Sequence, residues 1–145
     1  MANVSKLLEK KGKDIISVSP DTPVRDAIAK MAERSAGTAL VMDGNKLVGI
    51  FSERDFIRKI YLQDKCGTGV KVSDIMSAEL STVTADTTLE SCMETMTEKR
   101  IRHLPVLDGD QVVGVVSIGD IVKFMVQEKE FVIKNLQSYI SGPGM

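Results

Sequence analysis

The sequence of 145 residues contains no tryptophan, and aromatic residues make up only 4% of it. Aliphatic side chains and the eight methionines must therefore fill the core. The net charge of −1 does not favour nucleic acid as a partner. No apolar run approaches the roughly 18 residues of a membrane span, and the N-terminus lacks the apolar segment of a signal peptide. These absences predict a cytoplasmic protein of one domain or two very small ones, without a membrane partner.

Cysteine and histidine are also scarce. Cys66 and Cys92 are the two cysteines, and His103 is the one histidine. Two thiols without a CxxC spacing form neither a zinc site nor a disulfide framework. We therefore expect no metal site, and one loop thiol and one core thiol in a reducing compartment. Cys92 is the predicted core thiol, because it falls on the apolar stripe of a helix described below.

The chain repeats itself at an offset of 65 residues. The stretch GIFSERD at 49–55 returns as GVVSIGD at 114–120. When residues 16–57 are laid on 81–122 without a gap, 12 of 42 positions are identical, whereas chance gives about two or three. Two copies are too few for a solenoid, so the repeat predicts a pseudo-symmetric pair of units.

Each copy reads as a β-α-β-β-α unit, which predicts an α/β (α+β) fold. A short strand opens each unit, at 15–19 and at 81–84. Two apolar runs around an Asp-Gly pair then predict a hairpin, at 39–51 and at 104–116. A helix follows each hairpin, and the last one is predicted to run from about residue 120 to residue 141.

The helix between the first strand and the hairpin has predicted caps in both units. In the first unit Thr22 is the predicted N-cap, with Pro23 at the first helical position. In the second unit Thr87 is the predicted N-cap, and Glu90 completes a capping box. An apolar stripe at helical spacing predicts the buried face of these helices: Val24, Ala27, Ile28, Met31, Ala32, Leu89, Cys92, Met93 and Met96.

These patterns divide the chain into three segments. We predict a first unit at 1–65, with VSKLL as its lead-in, and a second unit at 66–127, with VSDIM as its lead-in. Residues 128–145 would form a helical extension and a tail. The last helix carries more apolar residues than one unit needs, among them Met125, Phe131 and Ile140. We expect these residues to contact a second subunit or to cover the edge of the assembly.

The repeated unit resembles a pair of cystathionine β-synthase (CBS) domains, the regulatory Bateman module. The resemblance rests on a Gly-x-x-Ser-x-x-Asp element in both copies, on RHLPVLD at 102–108 and on VSDIM at 72–76. It covers roughly residues 4–127, and the extended last helix is similar to the end of small stand-alone bacterial CBS-pair proteins. The resemblance implies two units packed about a pseudo-twofold axis, with two clefts between them. Such clefts commonly bind AMP, ADP, ATP, NAD or S-adenosylmethionine, and such pairs often form homodimers.

The Ser-x-x-Asp element has two compatible interpretations. It is typical of a helix capping box, which stabilises by ~1 kcal/mol and needs no ligand. Alternatively, the aspartate accepts the two hydroxyls of a ribose, because each carboxylate oxygen can accept one O–H. With the resemblance added, we favour ribose binding by Asp55 and Asp120.

The resemblance also assigns the remaining nucleotide-binding residues. In the family, the residues before the second strand of one unit line the cleft with the aspartate of the other unit. The Asp55 cleft would therefore combine Ser52, Arg54, Asp55, Ile101, Arg102 and His103. The Asp120 cleft would combine Ala36, Gly37, Thr38, Ser117, Gly119 and Asp120. The first strand would contribute backbone to adenine, through Ile16 in one cleft and Ser81 in the other.

The two clefts are predicted to differ in charge. The run from Lys99 to His103 is either a solvated face or a phosphate clamp, since arginine can hold phosphate through two parallel N–H bonds. As a clamp, it would make the Asp55 cleft the one that prefers a more highly phosphorylated ligand. Gly119 and Gly37 would leave the Asp120 cleft roomier and less cationic. The strand glycines Gly49 and Gly114 indicate either a bulge or a close approach, and the sequence leaves both open.

The predicted function is a stand-alone, non-catalytic sensor of adenine nucleotides, suited to energy sensing, that signals to a regulated protein partner. AMP, ADP, ATP or NAD would be its ligand, with a metal required, if at all, only together with ATP. A structural dimerisation unit with unoccupied clefts is the first alternative. An enzyme using a bound nicotinamide nucleotide is less favoured, because the sequence has no Walker A element, GxGxxG or nucleophile elbow.

Overall fold

A computed structural model describes residues 2–12, 14–61 and 69–141, with the side chains of the last helix described to residue 138. Two sequence predictions lie outside these ranges: the loop position of Cys66 and the tail beyond residue 141. The predicted boundary between residues 65 and 66 also lies there, and it stays a prediction.

The first repeat forms the predicted order of strand, helix, hairpin and helix, whereas the second forms the helix, hairpin and helix without a first strand at the described residues 81–84. A short helix precedes each repeat. The elements are α1 (Val4–Lys11), β1 (Ser17–Val18), α2 (Val24–Glu33), β2 (Thr38–Asp43), β3 (Lys46–Ser52), α3 (Glu53–Phe56) with a π-helical continuation (Ile57–Tyr61), α4 (Val72–Ile75), α5 (Leu89–Lys99), β4 (His103–Asp108), β5 (Gln111–Ser117) and α6 (Ile118–Ser141).

Both hairpins are confirmed, and they share one irregularity. Strands β2 and β3 pair antiparallel, as do β4 and β5. Gly44 and Gly109 take the positive φ values that the two tight turns require, 62° and 61°. The register shifts by one residue between Val41 and Met42, and at the equivalent place in the second hairpin. A β-bulge therefore lies next to the strand glycine of each repeat.

Close approach is the second reason for the strand glycines. A Cβ atom on Gly49 would lie 2.5 Å from Met76 Sδ and 3.1 Å from the backbone oxygen of Ser77. A Cβ atom on Gly114 would lie 2.9 Å from Leu8 Cδ2. Each glycine therefore makes room for a segment that packs across the hairpin, and both interpretations of these residues hold together.

The predicted strand at 81–84 is wrong. The second repeat has only an isolated parallel bridge between Val83 and Val106, whereas β1 pairs with β2 over two residues. In the first repeat the Leu40 amide donates to the Ile16 carbonyl at 2.9 Å. The equivalent of Leu40 is Pro105, which has no N–H to donate, so this bond of the ladder cannot form.

The predicted caps of α2 and α5 are wrong by one residue. Pro23 precedes α2 with an extended ψ of 140°, and no side chain caps the helix. In the second repeat Thr88 is the N-cap and accepts from the Ser91 amide at 3.1 Å. Thr22 and Thr87 instead accept from backbone amides three residues upstream, at 3.0 and 3.1 Å. Their hydroxyls close the turn before the helix, which is a common competing use of threonine.

The core forms two clusters, one in each repeat, and the predicted helical stripes largely face them. Val24, Ala27 and Met31 are buried in the first cluster, with Ile28 partly buried. Ala32 is exposed, so its assignment to the stripe is wrong. In the second cluster Leu89, Met96 and the free thiol Cys92 are buried, with Met93 partly buried. Cys92 is therefore confirmed as a core residue.

The two lead-in helices cross over. Helix α1, which precedes the first repeat, buries Val4, Leu7 and Leu8 in the core of the second repeat. Helix α4, which precedes the second repeat, buries Val72 and Ile75 in the core of the first. As a result, residues from the start of the chain lie beside the Ser-x-x-Asp element of the second repeat.

Candidate functional site

The two Ser-x-x-Asp elements have nearly identical local geometry. Each serine ends a strand, and each aspartate lies in the first turn of the following helix. The Ser52 amide donates to Asp55 Oδ2 at 3.0 Å, and the Asp55 amide donates to Ser52 Oγ at 3.2 Å. The equivalent bonds between Ser117 and Asp120 are both 3.0 Å. Both elements are therefore capping boxes, as one of the two sequence interpretations predicts.

The two elements face each other across a contact between equivalent residues. Thr38 Oγ1 and His103 Nδ1, at the 65-residue offset, lie 3.1 Å apart. In their hairpins Thr38 pairs with Ser52, and His103 pairs with Ser117. A contact between equivalent residues marks the pseudo-twofold axis, so both predicted ligand corners lie next to it.

The Asp55 corner is held by groups of its own repeat and of the lead-in that packs on it. Asp55 is a buried charged residue with 8% exposure. Lys59 Nζ lies 3.6 Å from Asp55 Oδ1, one helical turn away, and donates to the Ile75 carbonyl at 2.9 Å. Arg54 Nη1 donates to the Arg100 carbonyl at 2.7 Å. This last bond brings α3 beside the segment before β4, as the predicted pairing of the Asp55 cleft requires.

The Asp120 corner is held by a residue from the other end of the chain. Lys11 Nζ lies 2.5 Å from Asp120 Oδ2 and 2.5 Å from the Val115 carbonyl. Burial raises the pKa of Asp120, but the hydrogen bonds from Lys11 and Ser117 and the charge of Lys11 together lower it by more. The pKa of Asp120 therefore lies below its ordinary value of 3.8. Lys11 thus adds a cation to the Asp120 corner that the sequence analysis did not include, and the predicted difference in charge between the two clefts stays a prediction.

Sequence reasoning missed Lys11 because its partner is 109 residues away. Two lysines in the last turn of α1 are typical of a helix C-terminus, where they interact favourably with the helix dipole. Nothing in their local pattern indicates a distant carboxylate. Only the crossing of α1 onto the second repeat brings Lys11 to Asp120.

A groove between α1 and α6 continues from the Asp120 corner. Its volume is about 230 Å³, and its lining residues are Leu7, Lys10, Lys11, Asp120, Lys123, Phe124 and Gln127. Lys10 Nζ lies 5.0 Å from the centre of the Phe124 ring, within range of a cation–π contact. The groove therefore presents three lysines and one aspartate.

A larger cavity, of about 420 Å³, lies at the edge of the first sheet. Its lining includes Ser17, Thr22, Asp26 and Lys30 but neither of the two aspartates above. The Lys30 ammonium already donates to the Ser17 carbonyl at 2.6 Å. The cavity is wide open to solvent, so we place the candidate site at the two corners, where paired polar groups converge.

His103 lies between the corners and is half-buried. Burial, together with the charges of Lys11 and Arg102, lowers its pKa from the ordinary 6.5, and the charge of Asp120 opposes the shift. The imidazole is therefore neutral at pH 7, and one of its nitrogens bonds the Thr38 hydroxyl. Its pairing with Ser117 in the hairpin places His103 near the Asp120 corner as well. Its predicted role in the Asp55 cleft stays a prediction.

Several predicted residues contribute backbone groups that are already paired. The carbonyls of Gly37 and Arg102 accept from Glu53 and Ile118, the first residues of α3 and α6, at 3.0 and 2.9 Å. The Ile16 carbonyl also has a partner, in the ladder between β1 and β2. These bonds fix the segments around the corners, while the Arg102 side chain is exposed.

The remaining predicted residues lie close to these segments. The amides of Ala36 and Ile101 both close the end of the preceding helix, donating at 2.9 and 3.0 Å to Met31 and Met96. Ser81 is half-buried, and Gly119 is exposed with room for a Cβ atom. Binding of a nucleotide by any of these residues stays a prediction.

The described ranges contain no group of three or more His, Cys, Asp or Glu residues that could hold a metal ion. Within the same part of the chain, no helix is long and apolar enough to cross a membrane.

Comparison with known proteins defines the class. The CBS domain family model matches the chain twice, at residues 8–62 and 72–127. The chain belongs to the CBS-domain family and carries a CBS pair, so the resemblance and the fold class predicted from sequence are confirmed.

Three similar proteins illustrate this relationship. The mitochondrial CBS domain-containing protein CBSX3 of Arabidopsis thaliana is 36% identical over an alignment of 148 residues. This alignment covers 96% of this chain and 72% of that protein. The crystal structure of a CBS domain, NE2398, is 46% identical with a TM-score of 0.83, over 87% of this chain and 99% of that one. The structure of CBSX2 in complex with AMP is 25% identical with a TM-score of 0.72, over 89% of this chain and 99% of that one.

Proposed function

We propose that this protein is a stand-alone sensor that binds adenosine-containing ligands beside Asp55 and Asp120 and signals their presence to a protein partner. CBS pairs are regulatory modules, and the AMP bound to CBSX2 supports an adenine nucleotide as the ligand. One observation carries the proposal: two equivalent Ser-x-x-Asp corners lie on either side of the contact between Thr38 and His103.

The geometry of each corner suits a ribose. The capping bond from the serine amide uses Oδ2 of each aspartate, and a carboxylate has further acceptor capacity for the hydroxyls of a vicinal diol. The cap holds the carboxylate in one orientation before the ligand arrives, which reduces the entropy lost on binding. AMP, ADP, ATP and NAD all carry such a diol, so the corner alone does not choose among them.

Signalling would use the contact between the two repeats. A ligand bound between the repeats changes their equilibrium only if it has different affinities for two arrangements. The hydrogen bond between Thr38 and His103 joins the repeats at the axis and lies beside both corners. A shift of one repeat against the other would therefore alter this bond. The regulated partner would read a surface that includes this junction. Catalysis is not part of the proposal, and the compartment we propose is the cytoplasm.

We further propose a homodimer formed through the outer face of α6. Large apolar side chains of α6 are about half exposed or more: Val122, Val126, Phe131, Val132, Ile133 and Leu136. At 3.6 residues per turn, Val122, Val126, Ile133 and Leu136 lie on one face of the helix, which we take as the outer face, whereas Phe131 lies on the opposite side. Met125 packs against the core of the second repeat and is only partly buried, so its contact with a second subunit stays a prediction. The side chain of Ile140 lies outside the described residues. Light scattering at micromolar concentration should give twice the chain mass, and a monomer would contradict this part of the proposal.

A structural dimerisation unit is the second candidate function. One observation favours it: both aspartates already have internal partners, since Lys59 lies near Asp55 and Lys11 bonds Asp120. In that case the ion pairs would be permanent and the corners would not bind ligand.

A thermal-shift panel separates the two functions. The ligands are AMP, ADP, ATP, NAD, NADH and S-adenosylmethionine, each at increasing concentration. Stabilisation follows the ratio of ligand concentration to Kd, so a sensor gives a rising melting temperature for at least one of them, and the rank order identifies its ligand. An unchanged melting temperature with all six, together with mass spectra of the native protein that show no retained nucleotide, would support the structural function.

A further inference from the structure

Among the residues that the structure describes, Lys11 differs from the other charged residues near the two corners, because its ammonium directly bonds an aspartate that is predicted to bind ribose. Its ammonium bonds Asp120 Oδ2 and the Val115 carbonyl, both at 2.5 Å. The two side chains of this ion pair are 29% and 25% exposed. Helix α1 holds the lysine there, because Leu7 and Leu8 are buried in the core of the second repeat.

We propose that Lys11 is a specificity-determining residue of the Asp120 cleft, which makes this cleft select ligands that carry phosphate over adenosine itself. The inference rests on the proposed function, because it assumes that an adenosine ligand uses Asp120. It gives a phosphate-binding cation to the cleft that the sequence predicted to be the less cationic of the two.

The selection follows from an exchange of partners. A ribose diol that binds Asp120 competes with the Lys11 ammonium for the same carboxylate oxygens. A neutral nucleoside brings no charge to replace the one the lysine loses, and a partly buried ammonium without an anionic partner is unfavourable. A phosphorylated ligand brings its own anion. The flexible lysine stem can then turn from the carboxylate to the phosphate without losing an ion pair.

The groove beside Asp120 supports this exchange. Lys10, Lys11 and Lys123 line it together with one aspartate, so its lining has a net positive charge. Its volume of about 230 Å³ leaves space next to the carboxylate for part of a ligand. A phosphate end directed into this groove would lie among the three lysines, of which Lys11 is the one bonded to Asp120.

Lys59 provides a matched control in the other corner. It lies on the helix of Asp55 itself, 3.6 Å from the carboxylate, and its ammonium also donates to the Ile75 carbonyl. The longer distance makes it a weaker competitor for Asp55. Replacement of Lys59 should therefore change the affinities for adenosine and for AMP less, and more equally, than replacement of Lys11.

The test is calorimetric titration of the full chain with adenosine, AMP and ADP. Lys11→Met keeps the apolar stem and removes the charge. The ratio of AMP affinity to adenosine affinity at the Asp120 cleft should fall about tenfold, as expected for the loss of one charged hydrogen bond to phosphate. Lys11→Arg keeps the charge and should keep most of the ratio. In an Asp120→Ala background this cleft should no longer bind measurably, so Lys11→Met should have no further effect on the titration.

Each failure has its own signature. An unchanged ratio in Lys11→Met, with AMP still binding in a manner sensitive to Asp120→Ala, would overturn the role of Lys11 and leave the proposed function intact. The absence of saturable binding by all three ligands, in the wild-type chain and in the variants, would overturn the proposed function itself. Thermal melting of each variant without ligand shows whether it folds. If Lys11→Met does not fold, Lys11→Gln makes the same comparison.

Discussion

The Asp55 corner and the Asp120 corner have the same backbone geometry but different electrostatics. In each corner a strand ends at a capping serine, and the backbone amide of that serine donates a hydrogen bond of 3.0 Å to the aspartate. The nearby cation of Asp55 comes from the same helix at the i+4 position, whereas that of Asp120 comes from a helix 109 residues away. A duplicated motif therefore kept its backbone role, while the surrounding chain gave each copy a different charge partner.

The largest effect should come from loosening helix α1, which carries Lys11. Leu7 is 1% exposed in the second core, so Leu7→Ala should lower the free energy of unfolding by roughly 2–5 kcal/mol. Because α1 carries Lys11 to Asp120, Leu7→Ala should also change the affinity for AMP at the Asp120 corner and leave the affinity at the Asp55 corner unchanged. Denaturant unfolding checks the first part, with the exposed Lys6→Ala on the same helix as the control. A Leu7→Ala variant as stable as Lys6→Ala would show that α1 is not anchored as described.

The next effect concerns the shared backbone role. Ser52→Ala and Ser117→Ala each remove the side-chain acceptor of one capping box, and each should lower the free energy of unfolding by about 0.5–2 kcal/mol. Because the two amide hydrogen bonds of each box have nearly the same lengths, the two losses should be similar. Denaturant unfolding of Ser52→Ala and Ser117→Ala measures the two losses. A loss confined to one variant would mean that the two corners are not equivalent even in their backbone.

A pH experiment distinguishes the electrostatics of the corners. The pKa of Asp120 is lowered in the folded state, so its ionised form contributes stability above the unfolded pKa, and that contribution is lost as the pH falls through the folded pKa. Lys11→Met should raise the pKa of Asp120, because burial remains while the charge and the bond of Lys11 are gone. Carboxyl NMR titration measures this pKa directly, with Lys59→Met as the control. An unchanged pKa in Lys11→Met would contradict the ion pair.

The smallest effect concerns the junction between the corners. The pKa of His103 is lowered in the folded state, chiefly by burial. The unfolded chain therefore binds more protons, and stability should fall as the pH drops from the ordinary pKa of about 6.5 toward the folded value. His103→Gln should flatten this slope. Unfolding measured between about pH 5 and pH 7 checks it, and an equally steep slope in the variant would assign the pH dependence to other groups.

Much of the fold could be predicted because its signals are local. The Asp-Gly turns specify both hairpins, and the Ser-x-x-Asp spacing specifies both capping boxes. The errors arose where a residue had two local uses or a distant partner. Thr22 and Thr87 could cap a helix or close a turn, and the turn prevailed. Pro105 removed a donor from a strand ladder whose apolar pattern otherwise favoured pairing.

The site was less predictable because its charges come from distant segments. The run from Lys99 to His103 is prominent in the sequence, yet Arg102 points its side chain to solvent and His103 is half-buried against Thr38. Lys11 is inconspicuous in the sequence and makes the shortest ion pair among the described residues. Its role depends on the packing of α1 on the second repeat, which only the tertiary structure reveals.

The most direct test of the central claim is calorimetric titration of AMP into the wild-type chain, Asp55→Ala and Asp120→Ala. We expect binding at both corners in the wild-type chain and loss of one site in each variant, with the other site retained. Binding of the same stoichiometry and affinity in all three proteins would contradict it, because neither aspartate would then hold the ligand.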